Sequence, residues 1–113
     1  MAADRAQFVA SAIGYWTAIH DGSAREANAQ TDAGDRIVER WAAQGRLFDL
    51  LGGLLTDQSP QVRYAAAAHL LSTYPDVATP VLQELARDPQ GMVAVTAKML
   101  LMQRGISRDI REH

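Results

Sequence analysis

The chain contains no cysteine, which removes disulfides and thiolate metal sites from consideration. Neither charge is in large excess: eleven Lys and Arg stand against thirteen Asp and Glu, for a formal net charge of -2. So even a balance sets up no strong electrostatic field, and it argues against nucleic acid as the partner, since nucleic-acid binders cluster their basic residues. Histidine is scarce as well, and His20, His69 and His113 lie too far apart in sequence to form a metal-spaced pair. No serine sits in a Gly-x-Ser-x-Gly elbow, and no glycine loop has phosphate-binding form. No catalytic set, metal site or cofactor is therefore expected. Long apolar runs are missing too. The longest, such as residues 64–68, fall far short of a membrane span, and the acid at Asp4 comes too early for a secretory signal. A non-catalytic cytoplasmic protein with no membrane segment is the expectation.

What is present reads as helix. A length of 113 residues, 48% of them hydrophobic and 21% charged, suits one folded domain rich in alanine. Phe8, Ala12, Tyr15 or Trp16, and Ile19 recur at the helical period and predict a first helix over residues 4–20. Asp21-Gly22 stops it, and Ser23-Ala24-Arg25-Glu26 has the form of a capping box. A second helix should run to about Gln44, with Gly45 as its left-handed terminator. A third is predicted over residues 46–56, with Leu47, Phe48, Leu50, Leu51, Leu54 and Leu55 on a broad apolar face and Gly52-Gly53 as a mild outward kink. Ser59 and Pro60 then suit an N-cap and a first helical position, opening a fourth helix over 60–74. Two start signals compete for the fifth, Asp76 and Thr79-Pro80, and it ends near Arg87. The sixth covers 92–104 and stops at Gly105, leaving 106–113 as a polar tail expected to fray.

An offset of 31 residues superposes two parts of the chain. Leu50, Leu51, Leu54 and Leu55 fall on Val81, Leu82, Leu85 and Ala86, and the turn residue Asp57 falls on Asp88. Val62, Ala66, Leu70 and Leu71 then fall on Val93, Ala97, Leu101 and Met102, so one offset matches both helices and their turn. The stretch over residues 50–71, with its Leu-rich first helix, Asp/Pro turn and Val-Arg-x-Ala-Ala second helix, resembles the HEAT repeat. The resemblance covers residues 46–104, and the whole chain is similar to a small bacterial group of HEAT-like domains of unknown function. It implies an all-α fold of about six helices, a short right-handed stack of helical hairpins. Residues 4–45 would supply an N-terminal pair, 46–75 the first repeat and 76–105 the second, in a single domain 1–113. It further implies that Asp57 and Arg63 tie neighbouring copies together. The second copy has Ala94 in place of Arg63 and Gly91 near its helix start, as suits a terminal repeat that faces solvent.

Two sets of residues are candidates for partner binding. Asn28, Asp32 and Asp35, with Arg25 and Glu39, follow spacings of three or four and share one side of the polar second helix. Tyr64 and His69, with Tyr74, are the residues of the fourth-helix region best suited to reach a surface. Trp16 and Trp41, with Phe48, are expected to close the N-terminal end of the core. Together these point to a protein-protein interaction module. Its partner would be another protein, with a bacterial toxin domain neutralised by an immunity protein as one form, or a second copy of the chain. Weak nucleic-acid backbone binding would have to rest on Arg63, Lys98 and Arg104. An enzyme or metal protein would require His20, Asp21 and Asp32 to converge.

Overall fold

The computed structural model describes residues 2–88 and 91–105. Six α-helices account for most of these residues, with no strand among them: α1 Ala2–His20, α2 Ala24–Ala43, α3 Leu47–Leu51, α4 Pro60–Leu70, α5 Pro75–Ala86 and α6 Met92–Gln103. The tail expected to fray, 106–113, lies outside the described residues.

Local chemistry explains most boundaries. Ser23 caps α2 by accepting the Glu26 N–H at 3.2 Å, while the Glu26 carboxylate accepts from Gln30. Gly45, at φ +70, carries the chain out of α2 in the left-handed conformation that a side chain resists. The expected third helix is divided: α3 is one α-helical turn, and Gly52–Thr56 continues as a 3-10 helix. Two consecutive glycines weaken the α-helix at the junction, and a 3-10 turn is the tighter continuation. Helix α4 begins at Pro60 as expected but ends at Leu70, short of the expected Tyr74. Helix α5 begins at Pro75, ahead of both competing signals, and keeps Pro80 inside it. Proline at the first position loses no hydrogen bond, so Pro75 is a favourable opening for α5.

One apolar cluster draws on every helix. Phe8 of α1, Ile37 and Trp41 of α2, Leu50 and Leu51 of α3, Val62 and Leu70 of α4, Leu82 of α5 and Leu101 of α6 all belong to it. Each fully buried side chain of this size contributes about 1.5–3 kcal/mol relative to exposure. Trp41 is anchored at its polar end as well, donating its indole N–H to Asp4 Oδ2 at 2.8 Å, and the Arg46 guanidinium lies 4.8 Å from its ring centre. Phe48 departs from expectation: it is 41% exposed and packs edge-on against Tyr74 rather than closing the core. Of the positions related by the 31-residue offset, Leu51 and Leu82, Leu54 and Leu85, Ala66 and Ala97, and Leu70 and Leu101 are buried alike, whereas Leu71 is buried and Met102 is 56% exposed. Helix α1 packs along α2 and also reaches α4. Those three helices frame the site described next.

Candidate interaction site

The framing residues recur at helical spacing on each element. Phe8, Ser11, Ala12, Tyr15 and Trp16 come from one face of α1, Gln30, Thr31, Gly34 and Asp35 from α2, and Tyr64, Ala65, Ala68 and His69 from α4. With Thr96 of α6 they line an open cleft of about 180 Å³. At the α1–α2 seam the helices approach because Gly34 has no side chain; a methyl group there would lie 3.1 Å from Ser11 Oγ. Ser11 is buried and satisfied, donating to the Phe8 carbonyl at 2.9 Å.

Aromatic rings form one wall. Trp16 meets Tyr15 edge-on at 5.3 Å and Tyr64 edge-on at 5.9 Å between ring centres. The His69 imidazole stands edge-on to Phe8 at 5.7 Å, and its Nε2 lies 3.7 Å from Asp35 Oδ1. That separation is too long for a hydrogen bond. Burial pushes the His69 pKa below its ordinary value, and the Asp35 carboxylate offsets only part of that. Burial, helped by Tyr15, pushes the Tyr64 phenol upward. At neutral pH the imidazole and phenol are therefore uncharged, and Asp35 is the one charged side chain lining the cleft. Ser11, His69 and Asp35 are the residue types of a nucleophilic triad, yet Ser11 spends its proton on Phe8 and His69 turns Nε2 toward Asp35. The hydrogen-bonded chain that activates a serine is not formed among the described residues.

Of the candidate binding residues, Asp35, Tyr64 and His69 thus come together from two helices, although the sequence separates Asp35 from Tyr64 by 29 positions. Asn28 and Asp32 lie on the exposed flank of α2 and do not line the cleft. Trp16, expected as core, is half-buried and stands in the cleft wall; Trp41 is core. Sequence reasoning did not identify Ser11, Tyr15, Gln30 and Gly34 as site residues. The signal available for Ser11 and Tyr15 was the run Phe8, Ser11, Ala12, Tyr15, Trp16, which places both residues on one face of α1 with Phe8.

The expected tie between Asp57 and Arg63 is not formed among the described ion pairs. Asp57 instead accepts the Ser59 N–H at 2.9 Å, a local turn bond that uses the carboxylate within its own loop. Arg63 lines a second, wider cleft of about 650 Å³ with Trp16, His20, Glu84 and Asp88, and its Nε is buried without a partner among the described residues. Lys98 is exposed on α6, and Arg104 donates to Ser72 Oγ. Nothing among the described contacts joins these three cations into one basic surface. His20 is exposed beside Asp21 at 3.6 Å, while Asp32 lines neither cleft. No group of three or more His, Cys, Asp or Glu among the described residues is placed to hold a metal ion.

Helix α6 carries a further surface feature. Met92, Val95, Met99 and Met102 recur at three- and four-residue steps, and each is more than half exposed. No helix among the described residues is long and apolar enough to cross a membrane. Comparison with protein-family models, with curated proteins and with solved structures gives no match.

Proposed function

We propose that the chain is a non-catalytic protein-protein interaction module, and that the cleft between α1, α2 and α4 is where it holds its partner. The observation that carries this reading is the convergence of Asp35, Tyr64 and His69 with Tyr15 and Trp16 around one opening. Large stiff aromatics beside a polar group are the residue types that dominate binding energy in interfaces. The exposed Asn28 and Asp32 extend the polar surface beyond the cleft along α2 and favour a partner with a basic face. A basic toxin domain, capped by this chain as an immunity protein, is one partner of that kind. The resemblance of residues 46–104 to HEAT repeats supports the same class of function, since such repeats present curved surfaces to other proteins. A cytoplasmic location accords with the absence of cysteine.

The test is affinity capture from the native host with the unaltered chain alongside two variants, Asp35→Asn and Tyr64→Ala. A one-to-one complex formed by the unaltered chain and lost by both variants is the expected result. A complex indifferent to both substitutions overturns the placement of the site. Repeated failure to capture any stoichiometric protein partner overturns the function.

A further inference from the structure

The cleft between α1, α2 and α4 has a chemistry that selects its occupant. Its volume of about 180 Å³ lies below the roughly 300–1,000 Å³ typical of cofactor and small-molecule sites, so it suits a single side chain. No lysine or arginine lines it, and Asp35 is its one charged lining residue at neutral pH. No donor hydrogen-bonds the Asp35 carboxylate among the described residues, since His69 stands 3.7 Å away. A carboxylate left with unfilled acceptor sites beside aromatic rings is matched by a cation. Trp16 and Tyr64 supply those rings.

From this geometry we infer that the cleft receives one arginine side chain of the partner protein, its guanidinium on Asp35 and its flat face against one ring of the Trp16–Tyr64 pair, with the other ring edge-on to it. Arginine fits better than lysine on two counts. Its planar fork satisfies both carboxylate oxygens at once, and it stacks on aromatic faces while losing less hydration than an ammonium. This inference rests on the reading of the cleft as a protein-binding site and names what the cleft recognises.

The experiment titrates the full chain with N-acetyl-arginine amide, N-acetyl-lysine amide and the uncharged N-acetyl-citrulline amide, followed by proton–nitrogen NMR. The chain has two tryptophans, one in the cleft and one in the core, so the two indole N–H signals provide a reporter and an internal control. The Trp16 indole and the Gly34 amide should shift saturably with the arginine amide, with a dissociation constant of about 1–10 mM, while the Trp41 indole stays in place. Citrulline, which keeps the shape and loses the charge, should bind at least about tenfold more weakly. Asp35→Asn should bring arginine down to the citrulline level with the thermal midpoint unchanged.

Equal binding of arginine and citrulline amides overturns the inference, as does the absence of saturable shifts at Trp16. Lysine amide binding as tightly as arginine amide overturns the choice of guanidinium. If a captured partner needs the cleft and the arginine amide fails, the interaction module stands and its arginine recognition falls. If the arginine amide binds as expected and no complex depends on Asp35, recognition of arginine stands and the protein-partner reading falls.

Discussion

Asp35 of α2 and His69 of α4 meet at 3.7 Å in the lining of one cleft. The imidazole is flanked by the Phe8 ring from α1, and Tyr15 and Tyr64 are the other titratable groups lining the cleft. Burial holds its pKa below the ordinary value, and Asp35 works in the opposite direction. The unfolded chain, with His69 at about pH 6.5, then binds a proton more readily than the folded one. Stability from this group is complete above that value and falls as the pH is lowered through the depressed folded pKa. Urea unfolding at pH 7.5 and pH 5.5 should show the loss, and His69→Asn should diminish it. Asp35→Asn should move the His69 titration, followed by NMR, to still lower pH. An upward shift in that variant would show that Asp35 is not acting on the imidazole.

A second relationship ties the N-terminus to the core. Asp4 accepts from the Trp41 indole at 2.8 Å and from Arg40 at 3.0 Å, joining the start of α1 to the end of α2. Asp4→Ala leaves a partly buried indole N–H without its partner and should destabilise by about 1–3 kcal/mol. Asp4→Asn keeps an oxygen for the indole and loses the charge for Arg40, which should cost less than about 1 kcal/mol. Chemical denaturation of the two variants checks the order. Equal losses would mean that the ion pair, and not the indole bond, carries the contact.

How far these features were legible in the sequence depends on whether their cause is local. The Ser23 cap and the Gly45 terminator follow from backbone chemistry within a few residues, and both appear as expected. The divided third helix was only half visible. Gly52 and Gly53 signalled weakness, but a short apolar segment does not reveal whether tertiary packing will hold it as α or 3-10 helix. Asp57 was expected to reach Arg63 because the repeat resemblance implied it, whereas the nearer Ser59 N–H takes its carboxylate. Asp35 was picked out for its place in a polar stripe shared with Asn28 and Asp32. Its meeting with His69 depends on how α2 and α4 are placed around α1, a long-range relation that periodicity does not encode.

The two adjacent glycines allow a sharp comparison. A Cβ at Gly52 would come within 2.6 Å of the Phe48 ring, which lies over it, while one at Gly53 would meet nothing within 4 Å. Gly53→Ala should stabilise by about 0.4–1 kcal/mol by restricting the unfolded chain. Gly52→Ala gains the same term but pushes Phe48 out of its edge-on contact with Tyr74, 5.2 Å between ring centres. It should therefore be less stable than Gly53→Ala by about 0.5–1.5 kcal/mol. Denaturation midpoints at a common slope measure the difference, and an advantage for Gly52→Ala would show that Phe48 repacks without loss.

The two faces of α6 should respond oppositely to substitution. Ala97 and Leu101 point into the core, whereas Val95 and Met99 are more than half exposed on the opposite side. Leu101→Ala should cost about 2–5 kcal/mol, because it removes buried methyl groups and leaves a cavity. Val95→Gln and Met99→Gln should each stay within about 0.5 kcal/mol of the parent, having little packing to lose. The same two changes should reduce binding of an apolar dye such as ANS, because they interrupt the exposed row between Met92 and Met102. Equilibrium unfolding and dye fluorescence on the double variant separate these effects. A large loss of stability with no change in dye binding would mean that the outward row is covered in solution, and that Val95 and Met99 belong to a packed interface.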